Sequence, residues 1–313
     1  MKKRIISVLL ATVFALSVIG CGTKDTKEQD AYRQYGITCM ESGKYEDAVK
    51  AFQNALGESI GHIGEKELDI CFYKAKAQAL DGKTKDALAT YDAIIKYNKD
   101  ARAYYLRGDL YMDMGEEKKG RADFESAVQQ GKKNYEIYIG IYESLSRHEK
   151  KDEGQKYLSA AMEIKGDKPE DELYKGRISY LLGENKDAIS YLEKAKEHKQ
   201  MLASYYLGLA YDANGDSDKA KKCIAEYIKS GVATSYDLYE LGMQEMQDGN
   251  YKNALTYFNS GLELDKQNLM KSAIAAYEYS GDFDSAKKMM KEYLKAYPDD
   301  EEAKHENTFL ETR

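Results

Sequence analysis

The sequence predicts an all-α solenoid, built from about eight helix-turn-helix repeats and closed by a C-terminal capping helix. Three observations support this fold class. Glycines recur at a regular spacing, a small residue follows each of them, and a helical apolar face follows that residue. The composition agrees, because the 313 residues include only 2 prolines, and proline interrupts the interior of a helix.

The regular glycines mark the turn inside each repeat. Glycine adopts the left-handed conformation that ends a helix without steric cost. The period is roughly 34 residues, and Glu149 stands where one glycine of the series is missing. The turn glycines are Gly43, Gly82, Gly115, Gly183, Gly215, Gly249 and Gly281.

The residues after each turn predict the second helix of the repeat. A small residue comes five positions after the turn, a large apolar residue follows four positions later, and another core residue follows three positions beyond. This spacing places all three on one helix face, and the small residue lets two helices cross closely. The small residues are Ala48, Ala87, Gly120, Gly154, Ala188, Ala220, Ala254 and Ala286. The large ones are Phe52, Tyr91, Phe124, Leu158, Leu192, Ile224, Phe258 and Met290.

A first helix can be traced before each turn. Leu207, Gly208 and Tyr211, for example, precede the turn at Gly215. Together with the residues after the turns, this pattern resembles the tetratricopeptide repeat family over about residues 29–300. The first-helix tryptophan of that family is absent, since the chain has no Trp, and the copy that starts near Tyr135 is the least typical. The resemblance implies a right-handed superhelix whose first helices line a concave groove for an extended peptide or a partner's helix.

The N-terminal segment resembles a bacterial lipoprotein leader. Lys2, Lys3 and Arg4 precede an apolar stretch that ends at Cys21 and is shorter than the roughly 20 residues that a membrane-spanning helix needs. We expect a lipoprotein signal peptide at 1–20, a lipidated Cys21, and a flexible tether over 21–28. The chain would then be anchored outside the cytoplasm, on the cytoplasmic membrane or on an outer membrane if one exists. The alternative is an ordinary secreted protein in which Cys21 has no such role.

The rest of the chain leaves no room for a second domain. We expect the solenoid to occupy residues 29–300, and residues 301–313 to form either the capping helix or a frayed tail. The connection from Glu58 to Lys66 is longer than the others and contains glycine and isoleucine. It is interpreted as a tolerated insertion or as a contact site.

The resemblance also identifies candidate partner-binding positions on the first helices. Tyrosine offers a large contact area with a polar tip, and methionine adapts to varied partners. The alternative is that these side chains pack one repeat on the next. The candidate residues are Tyr105, Met112, Tyr180, Tyr205, Leu209, Tyr236, Tyr239, Met243 and Met246.

No catalytic, metal or cofactor site is predicted. His62, His148, His198 and His305 are scattered, and no pair has the spacing of metal ligands. After Cys21 the cysteines are Cys39, Cys71 and Cys223. Each is expected to pack as a small apolar residue, although Cys39 and Cys71 lie on neighbouring first helices where a disulfide is conceivable. The net charge of −7 argues against a nucleic-acid partner, which requires a basic surface.

Two functional hypotheses follow. The first is a non-catalytic, membrane-anchored scaffold of the bacterial envelope whose groove holds an unidentified envelope protein or peptide. The alternative is a lipoprotein that binds a peptide or glycan and delivers it to another envelope system. On either hypothesis, changing Tyr205 and Tyr239 to Ala is expected to weaken binding without unfolding the array.

Overall fold

A computed structural model describes residues 26–59, 63–166 and 168–313. The predicted signal peptide and Cys21 lie outside these ranges. The described residues form 17 α-helices and no β-strand, which confirms the all-α solenoid. None of those helices combines the length and the apolar character that crossing a membrane requires.

The helices follow one another with short connections. In chain order they are α1 Thr26–Glu41, α2 Tyr45–Gly57, α3 Glu65–Leu80, α4 Thr84–Asn98, α5 Ala101–Asp113, α6 Glu117–Gln130, α7 Tyr135–Arg147, α8 Lys151–Met162, α9 Pro169–Leu182, α10 Asn185–Glu197, α11 Leu202–Ala213, α12 Ser217–Lys229, α13 Ser235–Gln247, α14 Tyr251–Ser260, α15 Lys266–Ser280, α16 Phe283–Ala296 and α17 Glu301–Leu310.

The chain divides into two compact units, and the boundary lies within α8. Unit 1 extends to Tyr157, and unit 2 comprises Leu158–Arg313. In unit 1, α1 packs on α2, α3 on α4 and α5 on α6. In unit 2, α9 packs on α10, α11 on α12, α13 on α14 and α15 on α16. Each unit is therefore a series of helical hairpins, as the repeat predicts.

The turn inside each hairpin has the predicted backbone geometry. All seven glycines of the series have positive φ, between 68° and 86°. At the position without a glycine, Glu149 adopts the same conformation with φ of 62°. The hairpin of α7 and α8 thus keeps the common turn at the cost of a strained non-glycine residue.

A close helix crossing recurs inside the hairpins. In five of them a first-helix glycine faces a large apolar side chain that lies 16 positions later on the second helix. A Cβ atom on any of these glycines would come within 2.2 to 2.9 Å of that side chain, whereas carbon atoms normally pack at about 3.5–4.0 Å. The pairs are Gly36 and Phe52, Gly108 and Phe124, Gly176 and Leu192, Gly208 and Ile224, and Gly242 and Phe258.

The hairpin that starts at α7 departs from this rule, as the sequence predicts. Tyr142 occupies the first-helix position where five repeats have glycine. The small residue lies instead on the second helix, where a Cβ on Gly154 would be 3.1 Å from the Tyr142 Cα atom. Helix α7 is also buried along most of its length, from Tyr135 to Leu145.

Two tyrosines of unit 2 connect a second helix to the helix after it. The Tyr227 hydroxyl on α12 donates to the Asp237 carboxylate on α13 at 2.6 Å. The Tyr293 hydroxyl on α16 donates at 2.6 Å to Asp300, the N-cap residue of α17. The sequence pattern placed both tyrosines on an apolar face, and the structure adds a hydrogen bond at the tip of each.

The ends of the described chain are both helical. Helix α17 buries Ala303 and Leu310 against the last hairpin, which is the arrangement of a capping helix. At the other end α1 begins at Thr26. Residues 26–28, which were predicted to be part of a flexible tether, are therefore helical, and Gln29 is fastened to α3 through a 2.9 Å hydrogen bond to Glu67.

Candidate partner-binding surface

The candidate residues of unit 2 lie on three successive first helices. Helix α9 carries one of them, α11 carries two, and α13 carries four. All seven are half-buried, so each packs on its own hairpin and still presents part of its side chain to solvent. We call this set the tyrosine–methionine face: Tyr180, Tyr205, Leu209, Tyr236, Tyr239, Met243 and Met246.

Tyr205 and Tyr239 also contribute to packing. The Tyr205 ring centroid lies 5.1 Å from that of Tyr206 and 5.2 Å from that of Tyr227. The Tyr239 ring lies 6.4 Å from the ring of the buried Phe258. Changing either tyrosine to Ala would therefore cost packing energy, because truncation would leave voids against these rings. That the array stays folded in the double variant remains a prediction.

The two candidates in unit 1 are not on an open surface. Tyr105 is 8% exposed and Met112 is 2% exposed. Tyr105 packs on Phe124 and fills the space above Gly140, where a Cβ would lie 2.6 Å from the tyrosine Cζ atom. Met112 fills the corresponding space at Gly120. Tyr105 and Met112 therefore pack in the core beside neighbouring glycines, as in the alternative that these side chains pack one repeat on the next.

Two of the three helices of the tyrosine–methionine face carry only acidic charges, whereas the third, α9, also contains Lys175 and Arg177. Helices α11 and α13 contain four carboxylates and no lysine or arginine: Asp212, Asp237, Glu240 and Glu245. Asp212 and Glu240 are exposed, and neither forms an ion pair with any described residue. Asp237 is buried and accepts the hydrogen bond from Tyr227.

The carboxylates of α13 lie close to the aromatic part of the face. Burial raises the pKa of Tyr205 above its usual value, and the nearby Tyr206, Asp237 and Glu240 raise it further. Tyr205 on α11 is therefore within electrostatic range of Asp237 and Glu240 on α13. The face therefore combines aromatic rings with negative charge.

Helix α15 contains two lysines, Lys266 and Lys271, and one carboxylate, Glu278. Burial and the carboxylate of Glu306 raise the pKa of Glu278 above its usual value. The lysine on this side of the helix, Lys271, is neutralised by Asp300 at 2.8 Å and Glu302 at 3.2 Å.

The second helices of the same unit have the opposite charge balance. Together α12, α14 and α16 contain nine lysines and four carboxylates. Unit 2 is therefore acidic on the first helices α11 and α13 and basic on these second helices. This separation was not predicted from the sequence, although lysine and arginine are absent between 202 and 213 and between 235 and 247.

Comparison with known proteins agrees with this geometry. Sequence models described as tetratricopeptide repeat match residues 74–135 in unit 1 and residues 202–230 and 267–300 in unit 2. The chain is a tetratricopeptide repeat protein. The matched segments of unit 2 include α11, which carries Tyr205 and Leu209 of the tyrosine–methionine face. No curated protein sequence matches the chain.

Solved structures similar to this tetratricopeptide repeat protein share little sequence with it. A tetratricopeptide repeat protein from Parabacteroides merdae is 11% identical, with a TM-score of 0.47, over 80% of this chain and 98% of its own. The Cut9–Hcn1 hetero-tetramer of the APC/C is 15% identical, with a TM-score of 0.45, over 92% of this chain and 56% of its own. PilW, described as a type IV pilus biogenesis factor, is 17% identical, with a TM-score of 0.43, over 66% of this chain and 97% of its own.

Outside this face, unit 1 of the tetratricopeptide repeat protein contains a polar cluster that the sequence did not reveal. Ligand atoms of Asp109, Asp113 and His148 lie within 4.8 Å of one another. The Arg147 guanidinium contacts the Asp109 carboxylate at 2.5 Å, and His148 Nε2 lies 3.1 Å from Asp113. The arginine already neutralises the buried aspartate, so the cluster serves to fasten α7 to α5. His148 is thus a bonded, half-buried residue.

The cysteines of the described residues are free thiols. Cys39 and Cys223 are buried, and Cys71 is half-buried. The disulfide between Cys39 and Cys71 that the sequence left open is not formed. Burial raises the pKa of the Cys71 and Cys223 thiols, which favours the unreactive protonated form.

Proposed function

We propose that this protein is a non-catalytic scaffold that holds a protein partner on the tyrosine–methionine face of unit 2. The observation that carries the proposal is the placement of seven large, half-buried side chains on α9, α11 and α13. Tyrosine and methionine are enriched where proteins contact one another, because they offer a large contact area and adaptable packing. The repeat fold supports the proposal, since stacked hairpins offer an extended binding surface.

Tyr236 and Met243, rather than the ring-packing Tyr205 and Tyr239, are expected to determine affinity. Tyr236 and Met243 lie about two turns apart on α13 and are both half-buried. Anchors of this kind typically contribute about 2 kcal/mol each when a partner covers them. Tyr205 in contrast supports the fold through Tyr206 and Tyr227.

Photocrosslinking in living cells tests this proposal with the full chain. A photoreactive amino acid replaces Tyr236 or Met243, and matched control positions are the exposed Lys221 and Lys288 on α12 and α16. We expect a discrete protein adduct from α13 and none from the control positions. An equal yield from both sets, or no adduct from either position on α13, would refute binding at this face.

The location of the protein is a separate part of the proposal. The basic residues Lys2, Lys3 and Arg4, the apolar stretch and Cys21 support a lipoprotein anchored outside the cytoplasm, in the bacterial envelope. Two acyl chains hold a protein stably at a membrane, since each buried CH₂ group contributes about 0.8 kcal/mol.

Metabolic labelling with an alkyne fatty acid tests the anchor. We expect label and membrane association in the native chain and in a Cys71→Ala control, and the loss of both in Cys21→Ala. Label that persists in Cys21→Ala would contradict the assignment of the lipid to this cysteine.

A further inference from the structure

We propose that the segment that binds the tyrosine–methionine face is an extended peptide rich in lysine or arginine. This inference rests on the proposed function, and it specifies the chemistry of the partner. It is carried by the charge separation within unit 2, where the first helices α11 and α13 contain four carboxylates and no basic residue.

The exposed carboxylates are available to a partner. Asp212 and Glu240 are both exposed, and neither has an ion-pair partner among the described residues. Glu245 is half-buried and accepts a hydrogen bond from Asn253 at 3.1 Å. Most of the negative charge on this face is therefore not neutralised within the protein, in contrast to Lys271, which two carboxylates surround.

Helix stability does not account for these carboxylates. Asp212 lies in the last turn of α11, Glu245 in the last turn of α13 and Glu278 in the last turn of α15. The C-terminal end of a helix carries a partial negative charge, which disfavours a carboxylate there. A cationic partner would remove this unfavourable interaction when it binds.

The aromatic rings suit the same kind of partner. Lysine and arginine bind the faces of aromatic rings within about 6 Å, and a carboxylate beside the ring adds to the attraction. Unit 2 already contains several such contacts. In one of them the Arg177 guanidinium lies 5.4 Å from the centre of the Tyr206 ring. Glu240 near Tyr205 offers a similar combination of carboxylate and ring to a residue from outside.

The charge of the face also distinguishes between classes of partner. A nucleic acid or an acidic peptide would place negative charges against Asp212 and Glu240 and would be repelled. Both would fit the basic helices α12 and α16 better. A basic peptide would be attracted by the carboxylates of α11 and α13 and repelled by the lysines of α12 and α16.

Charge reversal gives a matched pair of variants. Asp212→Lys/Glu240→Lys reverses two exposed charges of the face, and Asp218→Lys/Asp284→Lys reverses two exposed charges on α12 and α16. Both double variants change the net charge equally, so any difference between them reports position. None of the four residues is buried, and the fold is expected to be retained, which thermal unfolding checks.

Binding of synthetic peptides to the full chain, purified in detergent, provides the direct test. The probes are three extended peptides of equal length in which every second residue is lysine, glutamine or glutamate. We expect the lysine peptide to bind most tightly, and to bind about tenfold more weakly to the first double variant than to the native chain. The second double variant should bind it like the native chain. Equal loss in both variants, or no preference for the lysine peptide, would overturn the inference.

Photocrosslinking from Met243 separates failure of this inference from failure of the proposed function. Mass spectrometry of the adduct identifies the captured segment, and a net positive segment whose adduct disappears in Asp212→Lys/Glu240→Lys is the expected result. An adduct with a neutral or acidic segment, or one that persists in that variant, would overturn the basic-peptide inference and leave the face as a binding site. Absence of any adduct from the face would refute both the basic-peptide inference and the proposed function.

Discussion

The close helix crossing at Gly242 predicts that a single methyl group destabilises unit 2. In Gly242→Ala the new Cβ would lie 2.2 Å from Cε1 of Phe258, which is itself fully buried. Since carbon atoms pack at about 3.5–4.0 Å, the phenylalanine ring or the whole of α14 has to move by more than about 1 Å.

The magnitude follows from two opposing effects. Overpacking of a core costs about 1–3 kcal/mol, and the severity of this contact favours the upper end. Alanine is a better helix former than glycine by about 1 kcal/mol. The free energy of unfolding of unit 2 should therefore fall by about 2 kcal/mol. Gly57→Ala is the matched control, because a Cβ there meets nothing within 4 Å, and it should leave the stability unchanged or raise it by up to about 1 kcal/mol.

Hydrogen exchange followed by mass spectrometry measures both changes in the same protein. Peptides from α13 and α14 should exchange faster in Gly242→Ala, and those from α2 should not change or should exchange more slowly in Gly57→Ala. A second substitution, Phe258→Leu, should restore part of the protection in Gly242→Ala, because the smaller side chain makes room for the methyl group. Strict additivity of the two substitutions, or a Gly242→Ala chain as stable as the native one, would refute the assigned contact.

Three further predictions concern single residues. Tyr227→Phe removes one donor from the buried Asp237 carboxylate and should lower the free energy of unfolding by about 1–3 kcal/mol in thermal or denaturant unfolding; an unchanged midpoint would contradict a role for this hydrogen bond. Hydrogen bonds from Lys271, Tyr293 and the Ala303 amide lower the pKa of Asp300, so its stabilising contribution is present above its unfolded pKa of about 3.9 and is lost as the pH falls below that value. Unfolding of Asp300→Asn should accordingly depend less on pH in this acidic range than unfolding of the native chain, and an identical pH profile would argue against the assignment. Glu149→Gly relieves a left-handed φ of 62° and should raise the free energy of unfolding by about 0.5–1 kcal/mol, whereas a lower unfolding midpoint would show that the glutamate is not strained.

The local features of the fold could be predicted from the sequence. Turn glycines and the small and large residues after them depend only on spacing along one hairpin, and the spacing is regular. Glu149 illustrates the limit of this reasoning, because the turn is kept there without glycine. The start of α1 at Thr26 was missed because a polar helix start and a polar tether have similar composition.

The exposure of the candidate site could be predicted only in part. Whether a first-helix residue is open to a partner depends on the next hairpin, which may lie more than thirty positions away. Tyr105 is buried because Gly140, on α7, leaves a space that its ring fills. The residues around Tyr105 in the sequence do not predict this burial. At matching positions of unit 2, Leu173 is also buried, whereas Tyr205 and Tyr239 stay half-buried. Hydrogen bonds such as that from Tyr227 to Asp237 depend on side-chain geometry that spacing does not determine.

The connections inside hairpins vary less in length than the connections between hairpins. This difference indicates where the chain tolerates inserted residues. Inside the hairpins the helices are joined by two or three residues, whereas successive hairpins are joined by two to seven. An added residue inside a hairpin would shift Phe258 or its counterparts out of line with the glycine opposite. The segments between hairpins, such as that from α12 to α13, bear no such constraint. Insertions, epitope tags and protease sites should therefore be accepted between hairpins and rejected within them, so that length variation can accumulate without a change in the helix crossings.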